Sequence, residues 1–362
     1  MTNSLKITCN HLYAVYLMAM PDTFSLESIT KEPLIDSLGR QISYLRLSVT
    51  DRCDFRCQYC MAEKMTFLPK KDVLSLEELY LIAKTFMACG IDKIRLTGGE
   101  PLVRRDIQTL ISLLGNHVSK GDLKELTMTT NGSQLGQYAS MLAQSNVKRL
   151  NVSLDSLNPD KFKHITRRGS LKNVLKGIDT AVAQDIHIKI NMVIMGQENM
   201  DDLLPMVDYC TQNKFDLTLI EAMPLEAGGI DRAANFMPLS ACVDLIQQQY
   251  ALLPSTHSTA GPARYMTIDG SQSRLGLITP LTQNFCQGCN RIRLTCTGKL
   301  YPCLGHDTHL DFRELIRSGA KEVELVQQLR AIIAQKPAAH DFEISSSKTK
   351  SATTRSMNTT GG

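Results

Sequence analysis

Along much of the chain, short runs in which apolar and polar residues alternate are separated by stretches in which apolar residues recur at helical spacing. The first alternating run, Tyr44-Leu45-Arg46-Leu47-Ser48-Val49, reads as a strand. Ser75-Leu76-Glu77-Glu78 then opens a helix by the capping-box pattern, with Leu76, Leu79, Ile82, Ala83 and Phe86 on one face and Gly90 as its stop. The rhythm repeats, predicting strands over 93–97, 125–130, 149–155, 186–195 and 215–223, with helices near 103–117, 134–145, 171–184 and 201–213. Six βα units predict a parallel sheet with helices outside it, and their number suits an incomplete barrel. Alternation alone does not separate that barrel from an open doubly wound sheet. After a helix over 239–250 the rhythm ends: Gly261-Pro262 punctuates, and 264–280 reads as a hairpin around Asp269-Gly270.

These changes divide the chain into an N-terminal extension over 1–33, a barrel over 34–255, a C-terminal module over 256–337 and a flexible tail over 338–362. The tail is rich in Ser, Thr and Lys from Ser345 to Thr360 and ends in Gly361-Gly362. The extension holds an apolar run from His11 to Met20, but it lacks a small-x-small cleavage pattern, and no run reaches the ~18 apolar residues of a membrane span.

Composition narrows the class. With 43% hydrophobic and 21% charged residues in 362, the expectation is a soluble globular protein. A formal charge of +4 predicts no nucleic-acid coat, although local basic clusters can still grip an anionic metabolite. Eleven cysteines, six of them in two tight clusters, fit metal ligation in a reducing compartment, and the cytoplasm is the default expectation.

The first cluster follows the first strand. Cys53, Cys57 and Cys60 place three thiolates within eight residues, enough for three corners of an iron-sulfur cube with the fourth iron left open. A structural zinc site is the competing reading, but it needs four ligands, and the nearest spare one, Cys89, falls in a helical pattern. Cys-x3-Cys-x2-Cys with an aromatic residue before its last cysteine resembles the radical S-adenosylmethionine (SAM) superfamily, whose fold is an incomplete (β/α)6 barrel of the TIM type. One unit later, Gly98-Gly99-Glu100-Pro101 is similar to the SAM-binding turn of that superfamily. The resemblance implies that Tyr59, Gly99 and Ser153 touch SAM and that Met223 lies near the adenine; an ordinary core methionine is the other reading of Met223.

The second cluster, Cys286-x2-Cys289-x13-Cys303, carries Arg291 and Arg293 between its ligands. Together with Gly261-Pro262-Ala263, Thr279-Pro280-Leu281-Thr282 and the terminal diglycine, it resembles the GTP 3′,8-cyclase family, which begins molybdenum cofactor biosynthesis. Half of a zinc ribbon is the competing reading. The resemblance runs from about residue 34 to 337 and implies two 4Fe-4S clusters, the second of which binds guanine through its open iron. It maps GTP contacts onto Arg46, Arg95, Thr129, Lys189, Arg291 and Arg293, with Lys93 a further candidate, and gives Arg291, Arg293, Gly361 and Gly362 a part in catalysis. Arginines suit this role because a guanidinium is a fixed fork of donors, and with no G-x-x-x-x-G-K-[ST] loop a nucleotide must be held by side chains.

The expected reaction is that of the family: an electron from a flavodoxin- or ferredoxin-type donor cleaves SAM to a 5′-deoxyadenosyl radical, which takes the 3′ hydrogen of GTP. Carbon 3′ then joins guanine C8, giving (8S)-3′,8-cyclo-7,8-dihydroguanosine 5′-triphosphate. The family further implies a homodimer that hands its product to cyclic pyranopterin monophosphate synthase, with no nucleic acid or membrane partner. Two features depart from a simple match. Cys296 lies between the second ligands and is a competing thiolate, and Thr218 stands where the family usually has an arginine, with Arg232 a neighbour able to compensate. The rival readings are another radical SAM enzyme with an auxiliary cluster, such as a peptide modifier, and a zinc-binding interaction protein.

Overall fold

The computed structural model describes residues 32–223, 236–259, 261–342, 355 and 357–360. The 1–31 part of the extension, Arg232, the tail residues 343–354 and 356, and Gly361-Gly362 lie outside the described residues.

Six parallel strands lie side by side in chain order: β3 (Tyr44–Ser48), β4 (Lys93–Thr97), β5 (Glu125–Thr130), β6 (Arg149–Ser153), β7 (His187–Ile194) and β8 (Asp216–Glu221). A two-stranded antiparallel ribbon, β1 (Leu34–Ile35) and β2 (Gln41–Ile42), precedes them. The connecting helices are α1 (Leu76–Ala88), α2 (Ile107–Lys120), α3 (Leu135–Gln144), α4 (Pro159–Thr166), α5 (Leu171–Val182) and α6 (Leu203–Asn213). The predicted capping box forms at α1: Glu78 N donates to Ser75 Oγ at 3.1 Å, and Ser75 N donates to the Glu78 carboxylate at 2.7 Å. Alternation sorts each strand into two faces. Leu45 and Leu47, Ile94 and Leu96, and Ile188, Ile190 and Met192 are buried in the hydrophobic core. Their alternate neighbours Arg46, Arg95, Lys189 and Asn191 line a cavity on the other face. The inner face is therefore polar, unlike a barrel filled by branched side chains.

The C-terminal part does not build a sheet of its own. It contributes α7 (Leu239–Gln247), β9 (Leu252–Pro254), β10 (Arg264–Ile268), β11 (Arg274–Ile278), β12 (Arg291–Leu294), β13 (Lys299–Tyr301), β14 (Leu310–Asp311), α8 (Phe312–Arg317) and α9 (Glu322–Ala334). β11 pairs parallel to β8, and β12 pairs parallel to β3, so the two edges of the six-stranded sheet each gain a parallel strand and one twelve-stranded sheet results. The hairpin expected over 264–280 is β10 and β11, turning at Gly270 with φ +69°.

Several bounds differ from expectation. The helix expected near 103–117 begins at Ile107, because Pro101–Val103 forms a separate 3-10 turn and Asp106 is left-handed at φ 59°. Met195 and Met223 fall beyond the ends of β7 and β8. α4 escaped the reading: its eight residues are too short for a clear period, although Asn158 caps it and Pro159 stands at its first position. Among the described residues no helix is long and apolar enough to cross a membrane.

Candidate functional site

The loop after β3 is held from three sides. From the β4 turn, Gly99 N donates to Thr50 O and Glu100 N to Arg52 O, both at 2.8 Å. The two glycines make this approach possible: an added Cβ on Gly98, whose φ is +144°, would stand 2.4 Å from Thr50 O, and one on Gly99 would stand 2.3 Å from Arg52 O. The close neighbour requiring glycine here is thus the cysteine loop itself. From the β5 turn, Asn131 Nδ2 donates to Asp54 at 2.7 Å and lies 3.6 Å from Cys53 Sγ, while Ser133 Oγ donates to Asp54 at 2.6 Å. From the end of α4, the carbonyls of Thr166 and Ile165 accept from Arg56 N and Gln58 N, each at 3.0 Å.

Glu100 ties the two turns together. It is fully buried and accepts from Asn131 N at 2.6 Å, Thr130 Oγ1 at 2.8 Å and Leu102 N at 3.1 Å, and burial pushes its carboxyl up to about 7. Tyr59 donates its hydroxyl to buried Asp155 at 2.8 Å, which fixes the aromatic residue of the cysteine motif against β6. Asn131 was absent from the sequence reading, and Glu100, quoted there only within the Gly-Gly-Glu-Pro turn, and Asp155, at the end of the strand over 149–155, were given no role of their own. Only their positions at strand ends could have signalled them.

The second triplet sits at the other end of the neighbouring strand: Cys53, Cys57 and Cys60 follow the carboxyl end of β3, whereas Cys286 and Cys289 precede β12, parallel to β3, and Cys303 follows β13, antiparallel to β12. Cys286, Cys289 and Cys303 nevertheless line the same cavity as Cys53, Cys57 and Cys60. Burial pushes the Cys53 and Cys57 thiols far up. Burial also acts on Cys289, but Arg291 and Lys336 outweigh it and leave that thiol at about 7. All six thiols are free. Among the described residues no three Cys, His, Asp or Glu side chains converge as they would on a single ion. Three free thiols per group fit a polynuclear cluster, in which each thiolate takes its own iron, better than a structural zinc ion, which takes four ligands. Cys296 does not line the cavity. It is fully buried, and burial followed by Asp51 pushes its thiol up to about 12, as expected of a core residue.

Between the triplets the wall is cationic. Arg46, Arg95, Lys189, Arg291, Arg293 and Lys336 line it, and Glu221 is the one carboxylate among the described lining residues. Glu221 is already engaged, accepting from Leu281 N at 3.0 Å and from the Thr282 hydroxyl. Burial lowers the Arg46 guanidinium to about 9, with Arg95 and Arg291 adding repulsion. Burial and then Arg95 and Arg149 lower Lys189 to about 7; its ammonium donates to Tyr265 Oη at 2.5 Å. Arg95 Nε, Thr129 Oγ1 and Tyr44 Oη are buried without a hydrogen-bond partner, and all three residues line the cavity. Such a wall fits a polyanion.

The other expected residues fall as follows. Tyr59, Gly99, Ser153 and Met223 line the cavity. Lys93 does not; it pairs with Glu125 at 2.6 Å. Thr218 is buried beside Gly276 with its hydroxyl unpartnered, and it also stays off the lining. Near the C-terminus, the Arg355 guanidinium lies 3.7 Å from the Tyr301 ring centroid and donates to the carbonyls of Leu304 and His306. Beyond it, Asn358 Nδ2 donates to Asp51 O at 3.2 Å and Arg293 Nη1 to Thr360 O at 3.5 Å.

Comparison with known proteins agrees with this anatomy. The Radical SAM superfamily pattern matches residues 47–210, and the Molybdenum Cofactor Synthesis C pattern matches residues 215–342. The GTP 3′,8-cyclase of Brucella ovis is 49% identical over 331 residues, covering 91% of this chain and 96% of that protein. The GTP 3′,8-cyclase of Brucella abortus (strain 2308) gives the same figures. Streptococcus suis SuiB bound to precursor peptide SuiA aligns with 97% of this chain and 80% of its own, with a TM-score of 0.57 and 15% identity. SuiB bound to S-adenosylmethionine aligns with 81% and 69%, with a TM-score of 0.55 and 16% identity. At such identities the likeness bears on the fold alone. The two patterns in tandem, with 49% identity across nearly the whole of the curated relatives, establish that this chain belongs to the GTP 3′,8-cyclase family of the radical SAM superfamily.

Proposed function

We propose that this protein converts GTP to (8S)-3′,8-cyclo-7,8-dihydroguanosine 5′-triphosphate, the first step toward molybdopterin. The observation that carries the reading is the shared cavity: two cysteine triplets from opposite ends of the adjacent strands β3 and β12 face one space whose wall is arginine-rich. Cys53, Cys57 and Cys60 would hold one 4Fe-4S cluster, and Cys286, Cys289 and Cys303 a second. When bound with SAM, the first cluster would supply the electron that cleaves SAM to its adenosyl nucleoside and methionine.

The chain's own residues supply binding and geometry. Tyr59, Gly99, Ser153 and Met223 would seat SAM beside the first triplet. Arg46, Arg95, Thr129, Lys189, Arg291 and Arg293 would hold GTP so that its ribose faces that nucleoside, guanidinium forks taking the phosphates. Gly361 and Gly362 would act with Arg291 and Arg293. The barrel and the C-terminal strands on its edges would keep water away. A flavodoxin- or ferredoxin-type donor in the cytoplasm, a homodimer and transfer of the product to cyclic pyranopterin monophosphate synthase complete the proposal.

The test is anaerobic: reconstitute iron and sulfide, count iron, reduce with dithionite, and assay SAM cleavage with and without GTP. About eight irons per chain and GTP-dependent 5′-deoxyadenosine, with a product bonded from C3′ to C8, are expected. About four irons, or cleavage indifferent to GTP, would overturn the proposal.

A further inference from the structure

Lys336 follows α9 and is 4% exposed, yet it lines the cavity beside Cys286, Cys289 and Cys303. Its ammonium donates to Arg291 O at 2.8 Å and to Pro302 O at 2.5 Å. One acceptor lies two residues after Cys289, and the other immediately precedes Cys303. The remaining ligand segment is held by a neighbour of Lys336. Arg40 donates to Cys286 O at 2.7 Å, and also to Pro337 O at 2.7 Å and Ala338 O at 3.2 Å, while Asp36 braces its Nε at 2.5 Å. Residues 336–338 and Arg40 together thus bracket all three ligand segments.

Carbonyl acceptors take two of the three donors of Lys336 but leave its charge uncompensated. A buried ammonium is costly unless an anion faces it. Cys286, Cys289 and Cys303 line the cavity with it, and as cluster ligands they would supply that anion. Arg291 and Arg293 also border this end of the cavity, but Lys336 is bonded to the backbone that carries the ligands and is poorly placed to turn toward a substrate.

We infer that Lys336 is the counter-cation of the cluster held by Cys286, Cys289 and Cys303: it fixes the three ligand segments relative to one another, and its charge raises the reduction potential of that cluster. The inference rests on the reading of those cysteines as cluster ligands. A fixed positive charge favours the reduced, more negative form, so neutralising it makes reduction harder.

The experiment uses the full chain with Cys53, Cys57 and Cys60 all changed to Ala, so that iron and absorbance report the second site alone. In this parent, Lys336→Met is expected to bind the same iron and to be at least tenfold harder to reduce in a dye-mediated titration, about 59 mV for one electron. Lys336→Arg is expected to keep the parent's potential. Unchanged potential in a fully loaded Lys336→Met would overturn the inference. Should Lys336→Met take up no iron, Lys336→Arg and Lys336→Gln are compared, given equal melting temperatures without iron. Loading of the arginine variant alone supports the inference, and equal behaviour of the two overturns it. A parent that binds no iron would overturn the second-cluster reading itself, and the inference with it.

Discussion

Arg293 on β12 and Arg46 on β3 are register partners in adjacent parallel strands, although 247 positions separate them in the chain. Arg46 is in turn opposite Arg95 on β4, so three guanidiniums form a row across three strands, all lining one cavity. Like charges in register repel, and a polyanion relieves the repulsion. Arg46→Met and Arg293→Met should each raise the KM for GTP at least tenfold, about 1.4 kcal/mol and within the range of one charged hydrogen bond. GTP should also raise the melting temperature of the wild type more than that of either variant. Steady-state kinetics and thermal melts check both, and an unchanged KM with a lowered melting temperature would reduce the row to a structural role.

Lys189 introduces a pH dependence. Burial and then Arg95 and Arg149 hold its ammonium at about 7, below its ordinary 10.5. A bound phosphate favours the charged form, so below pH 7 the site is ready to bind, and above it binding must take up a proton. The contribution of Lys189 to the KM for GTP should therefore be flat below pH 7 and raise it above that pH. The terminal phosphate itself deprotonates near about pH 6 and pushes the other way, strengthening binding as pH rises. Lys189→Arg separates the two: it should abolish the rise while keeping a low KM, whereas Lys189→Met should give a high KM at every pH.

How much of this was legible in the chain depends on whether the signal is local. In Ile188-Lys189-Ile190-Asn191-Met192 a period of two already separates core from cavity face, so the strand and its lining residues come from the same pattern. The cysteine spacings and the paired arginines were local too. The pairing of β12 with β3 was not, because no pattern in 291–294 indicates which distant strand it joins. Nor were the bonds from Asn131 to Asp54 and from α4 to Arg56, since one joins two loops and the other a helix end to a loop, through side-chain or carbonyl groups that alternation does not encode.

The contact between the turn and the cysteine loop is tight enough to test with one methyl group. A Cβ on Gly99 would lie 2.3 Å from Arg52 O and 2.6 Å from Arg52 C, both backbone atoms with little freedom to move. Gly99→Ala should displace the loop and cost the protein the irons of its first site, about four of about eight, while the second set stays. Iron analysis of the reconstituted variant decides it, and full retention would show that the loop yields.

Cys296 and Cys303 give a paired prediction. Cys303 lines the cavity, whereas Cys296 is fully buried with its thiol held protonated by burial. Cys303→Ala should lose the irons of the second site. Cys296→Ala should keep them and lose only packing, a change of about 1 kcal/mol in stability. Iron loss from Cys296→Ala would make it a ligand.

Tyr44 was not among the expected contacts. Its ring lies beneath two cations, 5.0 Å from Lys93 Nζ and 5.6 Å from the Arg95 guanidinium, and its hydroxyl is buried with no hydrogen-bond partner. An unpartnered donor on a cationic wall costs stability unless a ligand accepts from it. Phenylalanine keeps the ring and both cation contacts while removing that cost. Tyr44→Phe should leave the melting temperature of the ligand-free protein equal or higher, yet raise the KM for GTP several-fold, about 1 kcal/mol for one lost hydrogen bond. A fall in stability without a change in KM would instead show the hydroxyl serving the fold, and a raised KM with stability kept or increased would place it against the substrate.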